Sequence, residues 1–206
     1  MARRRLDFYE TAAWQVDALV DHLPELSGLV FCPCVGDGSL MRRLRELRPD
    51  LRFVTNDIDP ARPADFHGDA TDPAHWAHIV QVVGRPDWCV ENPPFNVEID
   101  ILRHAWEFAR RGVSFMARVS FAEPTSDPKR GIPRGPWLSE HPYQQRITLE
   151  RYSFTGSGST DSATTDWLTW TKGGLRLSQP FGISAFGYRD GKRAAVPKSL
   201  FAVEGV

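Results

Sequence analysis

The sequence predicts an α/β fold in which helices cover both faces of a mostly parallel central sheet. Short apolar runs alternate along the chain with segments of helical periodicity, and this alternation is typical of parallel sheets covered by helices. The chain has 206 residues, of which 41% are hydrophobic. This is enough for one sizeable core, so we predict a single domain spanning residues 1–206.

The predicted strands are short apolar runs. In chain order they are "LVFCPC", "LRFVTNDID", a short strand before "HGDATD", then "DWCV", "GVSFMARVSF", "QQRITLERY" and "SATTDWLTW". The Gly- and Ser-rich segment "SFTGSGST" between the last two strands suits a hairpin-like turn.

Predicted helices occupy the intervals between the early strands. Thr11 is the predicted N-cap of the first helix, and Asp72 followed by Pro73 predicts the start of another. Apolar residues at helical spacing form the faces that these helices bury: Trp14, Val16, Leu19, Val20 and Leu23; Leu40, Leu44 and Leu47; Trp76, Ile79, Val80 and Val83; and Ile101, Ala105, Phe108 and Ala109.

Two segments do not follow this alternation. Residues 122–143 lie in a Pro- and Gly-rich region that is too long for a passive connection, and we interpret them as a candidate target-recognition element. Residues 182–206 show only weak strand signals, and the sequence assigns them no structure.

The composition narrows the class of protein. A formal net charge of -1 argues against a protein that coats nucleic acid through bulk charge, although a local basic groove is compatible with it. No apolar run approaches the roughly 20 residues of a membrane span, so we expect a cytosolic protein. The three cysteines, Cys32, Cys34 and Cys89, lie in predicted strands, and we expect packed thiols rather than a zinc site.

Unusual residues follow three of the predicted strands, at the sheet edge where α/β proteins bind ligands. Gly36 and Gly38 in "CVGDG" allow a cofactor to approach the backbone. Asp57 can accept hydrogen bonds from both hydroxyls of a ribose, and Asp69 can accept one from an adenine amino group. Each residue alone is also explained by a tight turn or a cap, but their order along the chain favours a nucleotide-like cofactor.

This order of motifs resembles the class I S-adenosylmethionine-dependent methyltransferases, and more narrowly the amino-methyltransferases that modify adenine in DNA. "PCVGDG" matches their glycine motif, and "NPPF" matches their catalytic tetrapeptide, (D/N/S)-P-P-(Y/F/W). The resemblance spans roughly residues 7–121, and "SFTGSGSTDSATTDW" is similar to compact phage- or prophage-type members. It implies a Rossmann-like class I methyltransferase fold with an antiparallel last strand, in the cytoplasm of a bacterial or phage-infected cell.

The resemblance also implies roles for individual residues, and no metal site. The expected catalytic residues are Asn92, Pro93, Pro94 and Phe95. Those expected to bind S-adenosylmethionine are Phe8, Tyr9, Thr11, Cys34, Gly36, Asp37, Gly38, Asp57, Ile58, Asp69, Ala70 and Asn92. Residues expected to bind the substrate are Phe95, Lys129, Arg130, Arg134 and Phe154.

One position departs from the family pattern. The resembling proteins usually carry an acid just before "PC", where it supports the methionine end of the cofactor, and this chain has Cys32 there. Either another residue such as Asp37 compensates, or the affinity for the cofactor is reduced.

The stretch "VENPPFN" has a chemical rationale. Two prolines stop the preceding strand, because they have no backbone donor and fixed φ angles. The side-chain carbonyl of Asn92 and the backbone carbonyl of Pro93 can accept both hydrogens of a target amine, which frees its lone pair to attack a methyl group. Phe95 offers a face on which a flipped-out base can stack.

The expected substrate is therefore a flipped-out adenine in DNA, since Asn rather than Ser at the first position of the tetrapeptide favours adenine within the resembling family. Lys129, Arg130 and Arg134 would hold phosphates, so affinity would fall with salt. The tetrapeptide also serves adenine in RNA and glutamine in proteins. Because of Cys32, a non-catalytic nucleic-acid-binding subunit is a further alternative. The oligomeric state is not indicated.

Overall fold

The computed structural model describes residues 10–123, 134–150, 164–179 and 182–185. The described helices are α1 (Ala13–His22), α2 (Ser39–Leu47), α3 (Pro73–Val83), α4 (Glu98–Phe108) and α5 (Arg134–Glu140), with a 3-10 turn at Val119–Ala122. The strands are β1 (Leu29–Cys32), β2 (Arg52–Asp57), β3 (Phe66–His67), β4 (Trp88–Glu91), β5 (Gly112–Arg118), β6 (Gln145–Thr148), β7 (Thr165–Thr171) and β8 (Gly182–Ser184). Within these ranges, no helix is both long and apolar enough to cross a membrane.

The eight strands of the described ranges belong to one sheet, in the order β3-β2-β1-β4-β5-β7-β6-β8. The five adjacent strands β3, β2, β1, β4 and β5 are parallel, whereas β7 runs antiparallel to both β5 and β6. The predicted fold, with its mostly parallel sheet and late antiparallel strand, is confirmed. Strand order reverses between β1 and β4, and the carboxyl ends of strands at such a reversal form a crevice for ligands.

Each face of the sheet has its own apolar core. Buried residues of α1 and α2, including Leu19 and Leu44, pack on one face together with Trp88 and Trp167. On the other face, α3 and α4 pack with Phe115 and other buried residues. Consecutive residues of β4 point into opposite cores, as expected from the alternation of side chains along a strand. Both faces are covered, and this explains why the short parallel strands are continuous apolar runs.

The structure corrects some predicted element boundaries. Helix α1 begins at Ala13, and the amide of Ala12 donates to Gln15 Oε1 at 2.9 Å, so the prediction of Thr11 as the N-cap is wrong. Asp72 is confirmed as the cap of α3, because its Oδ1 accepts from the amide of Ala74 at 2.9 Å.

The cysteines behave in part as expected. β1 ends at Cys32, so Cys34 lies in the turn after the strand and not within it. All three thiols are free, and those of Cys32 and Cys89 are fully packed in the interior.

The segment 122–143 is not a continuous loop. Residues 124–133 lie outside the described part of the chain, but residues 134–140 form α5. Trp137 of α5 is 8% exposed and stacks on His141 with 4.5 Å between ring centroids. The carbonyl of His141 in turn accepts from Trp170 Nε1 of β7 at 2.8 Å. The second half of this segment is therefore packed against the sheet.

The remaining predictions concern the last part of the chain. The residues from 182 onward, which the sequence left unassigned, include β8, which pairs in parallel with β6. The predicted hairpin turn lies within residues 151–163, outside the described residues.

A test of the packing in the centre of the sheet uses Gly112, the first residue of β5. A Cβ atom there would lie 2.5 Å from the carbonyl oxygen of Trp170 and 2.5 Å from the ring of Trp88. We expect Gly112→Ala to lower the free energy of unfolding by about 1–3 kcal/mol, as overpacked sites do, in urea denaturation. Gly182→Ala is the matched strand control, since nothing lies within 4 Å of its added Cβ. Equal effects of the two substitutions would contradict the packing described.

Candidate active site

A cavity of about 260 Å³ opens at the carboxyl ends of β1, β2 and β4, where the reversal of strand order predicts a ligand site. Its volume is close to the lower end of the range for small-molecule sites, about 300–1,000 Å³. The structure brings together eleven of the residues selected from the sequence, and these line the cavity: Thr11, Cys34, Gly36, Asp37, Asp57, Ile58, Asp69, Ala70, Asn92, Pro93 and Pro94.

The glycine-containing turn after β1 forms one side of the cavity. Gly36 and Gly38 have φ angles of 57° and 79°, in the left-handed region that favours glycine. The turn is fixed by Asp57, whose Oδ2 accepts from the amide of Gly36 at 2.8 Å while its Oδ1 accepts from the amide of Asp59 at 2.9 Å. Asp37 accepts from the amide of Ser39 at 2.9 Å and thus stabilises the start of α2.

The turn that contains Asp69 also lines the cavity. Asp69 Oδ1 accepts from the amide and the hydroxyl of Thr71, both at 2.8 Å. Trp76 of α3 donates its ring N–H to the carbonyl of Ala70 at 2.8 Å. The buried amide of Asn56 joins the two turns, because its Nδ2 donates to the carbonyls of Pro33 and Gly68 at 2.9 and 3.0 Å. Sequence reasoning did not select Asn56.

Asn92 lies at the edge of the cavity, where the double proline ends β4. Its Nδ2 donates to the hydroxyl of Thr11 at 3.0 Å, and Thr11 is only 5% exposed. This hydrogen bond fixes the orientation of the amide, so the carbonyl oxygen faces away from Thr11. Thr11 therefore positions the catalytic amide predicted from the sequence.

Several predicted residues lie elsewhere. Phe95 is not part of the cavity wall, and the guanidinium of Arg118 lies over its ring at 4.7 Å from the centroid. Arg134 donates to the carbonyls of Ser120 and Glu123 at 3.0 and 3.3 Å. Gly38 belongs to the glycine-containing turn but does not line the cavity. The predicted residues outside the described part of the chain are Phe8, Tyr9, Lys129, Arg130 and Phe154.

Sequence reasoning also missed Glu91, the last residue of β4, although an acid directly after an apolar strand and before Asn92 was an available signal. Glu91 is 0% exposed and borders the cavity. Its Oε2 accepts from the amide of Cys34 at 2.7 Å and contacts the thiol of Cys32 at 3.4 Å. Burial raises the pKa of the Glu91 carboxyl to about 8 despite these hydrogen bonds.

In the described ranges, no group of three or more His, Cys, Asp or Glu side chains is arranged to hold a metal ion. The ring of His75 instead contacts Asn56 Oδ1 at 2.8 Å.

No protein-family model and no curated protein matches the chain. Solved structures do match. The M protein of the type I restriction enzyme EcoKI gives a TM-score of 0.60 at 12% identity, covering 85% of this chain and 48% of that one. A modification subunit of a type I restriction enzyme from Vibrio vulnificus gives 0.52 at 10%, covering 85% and 45%. The rRNA methyltransferase AviRa from Streptomyces viridochromogenes gives 0.51 at 14%, covering 82% and 88%.

The chain has the class I methyltransferase fold. It spans about half the length of the two type I restriction proteins that it matches. At 10% to 14% identity, the likeness concerns the fold alone.

The buried carboxyl of Glu91 gives a prediction for stability. Its pKa is about 8 in the folded state and about 4.3 in an unfolded chain. At a pH between these two values, the folded state therefore carries a proton on Glu91 that the unfolded chain has released. The stability that Glu91 contributes is complete below the lower value and is lost as the pH rises through the upper one. We therefore expect Glu91→Gln to gain stability relative to the wild type from pH 5 to pH 8, by on the order of 1 kcal/mol per pH unit.

Urea denaturation of both proteins at pH 5, 6, 7 and 8 measures this difference. Glu140→Gln, at an exposed position at the end of α5, controls for the chemical change itself. If the Glu91→Gln and wild-type curves stay parallel across the range, Glu91 does not titrate as described.

Proposed function

We propose that this protein transfers a methyl group from S-adenosylmethionine to the exocyclic amine of adenine in DNA. The observation that carries the proposal is the amide of Asn92, which heads the double proline at the cavity edge and is oriented by Thr11. A rigid pair of carbonyl acceptors next to a ligand cavity suits the methylation of a planar amine.

The cavity suits the adenosine part of such a cofactor. Asp57 would bind the ribose hydroxyls and Asp69 the adenine amino group. Asp57 already accepts two backbone N–H groups, but a carboxylate has about four acceptor sites, so capacity for hydroxyls is left. Ile58, which is 46% exposed on the cavity wall, offers an apolar surface for a flat base.

The residues at the end of β4 would activate the target. The lone pair of an aromatic amine is delocalised, and acceptors that bind both of its hydrogens favour a tetrahedral nitrogen with a localised lone pair. The Asn92 side-chain carbonyl and the Pro93 backbone carbonyl would be these acceptors. S-adenosylmethionine supplies an electrophilic methyl group, so the chain has to orient and polarise the amine rather than deprotonate it beforehand.

DNA is the proposed acceptor because the tetrapeptide begins with Asn and because two of the matched structures are modification proteins of type I restriction enzymes. Lys129, Arg130 and Arg134 would contact phosphates, and Phe95 would stack on the flipped base. Phe154 would cover the other face of the base. The match to an rRNA methyltransferase makes RNA the first acceptor to compare.

The proposal is tested by incubating the protein with S-adenosylmethionine labelled in the methyl group and with unmodified DNA, RNA or protein in parallel. We expect label in DNA as N6-methyladenine. Asn92→Ala should lower the rate by about 100-fold or more, the scale seen when one preorganised catalytic hydrogen-bonding group is lost, while cofactor affinity falls much less. Label confined to RNA or protein would contradict the proposed acceptor, and calorimetry showing no cofactor binding would contradict the proposed reaction.

The role of Thr11 is tested separately with Thr11→Val, which keeps the shape of the side chain and removes the acceptor for Asn92. A freely rotating amide presents its carbonyl less often, so we expect kcat to fall about 10-fold, the equivalent of one hydrogen bond. KM for DNA should change little. Thr171→Val is the control, since its hydroxyl bonds to the carbonyl of Leu175 at 2.9 Å and does not line the cavity. An equal loss in both variants would show that Thr11 has no specific role.

A further inference from the structure

The carboxyl of Glu91 has an unusual environment. It is 0% exposed and borders the cavity beside Asn92. Its Oε2 accepts from the turn after β1, and the backbone N–H of Asn92 lies near the carboxyl. Within the described ranges, however, its Oε1 is buried and makes no hydrogen bond of good geometry. A buried polar atom without a partner costs free energy, so a ligand group is expected to satisfy it.

The groups that face Glu91 carry no positive charge. They are the thiols of Cys32 on β1, Cys34 in the following turn and Cys89 on β4 itself, and the carboxylate of Asp57 on β2. On β5, the register pairs Glu91 with the uncharged Phe115. Arg62, which also lines the cavity, pairs with Asp59 at 3.6 Å. In the described part of the chain, Glu91 therefore has no ion pair, and a buried carboxylate needs an opposite charge.

The position of Glu91 relates it to the missing acid at Cys32. β1 and β4 are parallel neighbours, with Val30 opposite Trp88 and Phe31 opposite Cys89, so Glu91 lies one step beyond Cys32 on the adjacent strand. Its carboxylate contacts the Cys32 thiol at 3.4 Å. A second acid at position 32 would place two carboxylates in contact. At this place between β1 and β4 the chain has one acid, Glu91, and it belongs to β4.

We propose that Glu91 binds the ammonium group of the cofactor's methionine moiety and so replaces the acid that β1 lacks. This inference rests on the proposed function, because it takes the ligand to be S-adenosylmethionine. The ammonium would donate to Oε1 and supply the positive charge that Glu91 lacks. The next residue along the chain is Asn92, which is proposed to bind the target amine. The cofactor site is then retained despite Cys32, because its acid comes from β4 and not from β1.

The proposal has a consequence for pH. Because burial raises the pKa of Glu91 to about 8, the ligand-free carboxyl is mostly protonated at pH 7 and has to release its proton when a cation binds. Binding is then coupled to the release of about one proton below pH 8, and affinity rises about tenfold per pH unit up to that value.

The experiment is calorimetric titration of the wild type and Glu91→Gln with two ligands at pH 6, 7 and 8, in two buffers of different ionisation enthalpy. S-adenosylhomocysteine carries the ammonium without a sulfonium charge, and 5′-methylthioadenosine carries neither. We expect the wild type to bind S-adenosylhomocysteine more tightly as the pH rises, with proton release. Glu91→Gln should weaken it by about 10- to 100-fold at pH 8, the range of a charged hydrogen bond, with little dependence on pH.

Binding of 5′-methylthioadenosine should be the same in both proteins, which also shows that Glu91→Gln is folded. Glu98→Gln is the matched control: its carboxyl is also buried with a pKa of about 8, but it lies 3.9 Å from Arg134 and does not border the cavity. It should keep the wild-type pH dependence.

The outcomes separate the two proposals. If the wild type binds S-adenosylhomocysteine and Glu91→Gln binds it equally well with the same pH dependence, the role of Glu91 is overturned while the proposed function stands. If Glu91→Gln weakens both ligands equally, Glu91 only shapes the cavity and the role is again overturned. If the wild type binds neither ligand, the proposed function fails, and the inference with it.

Discussion

Two carboxylates from neighbouring strands hold the turn that follows β1. Glu91 at the end of β4 accepts the amide of Cys34 at 2.7 Å, and Asp57 at the end of β2 accepts the amide of Gly36 at 2.8 Å. Because β4 and β2 flank β1 in the sheet, these bonds fix the backbone of the turn between them. The cavity depends on this arrangement, since the turn forms one of its sides and the flanking strand ends form its walls.

The same two carboxyls contribute to the charge of the cavity. Both are largely buried, and the cavity is also lined by the acids Asp37, Asp59 and Asp69 and by Arg62. Asp57 accepts from two backbone N–H groups, and burial raises the pKa of the Glu91 carboxyl to about 8. A ligand with a cationic group at Glu91 and hydroxyl donors at Asp57 would be complementary to these two carboxyls.

The end of β4 runs from the interior of the protein to the edge of the cavity. Glu91 faces the interior, Asn92 lies at the edge, and the prolines stop the strand so that Phe95 is placed beyond the cavity wall. The guanidinium of Arg118 lies over the ring of Phe95, 4.7 Å from its centroid. The residues proposed to contact the cofactor and the target are therefore close to one another in the sequence, and their rigidity comes from proline and from burial.

The sequence by itself determined the type of fold, the strand ends that carry Gly36, Asp57 and Asp69, and the abrupt end of β4, because periodicity, turn residues and prolines act locally. Only the tertiary structure decided which side chains meet. Thr11 meets Asn92 across 81 positions of sequence, and Cys32 meets Glu91 across 59. The contact of Cys32 with Glu91 exists because the sheet places β1 beside β4, and the contact of Thr11 with Asn92 joins the segment before α1 to the end of β4. Both depend on the tertiary fold that buries the two faces of the sheet. Local patterns therefore predicted Thr11 as a helix cap and indicated the loss of an acid at Cys32. The structure shows instead that Thr11 contacts Asn92 and that Cys32 contacts Glu91.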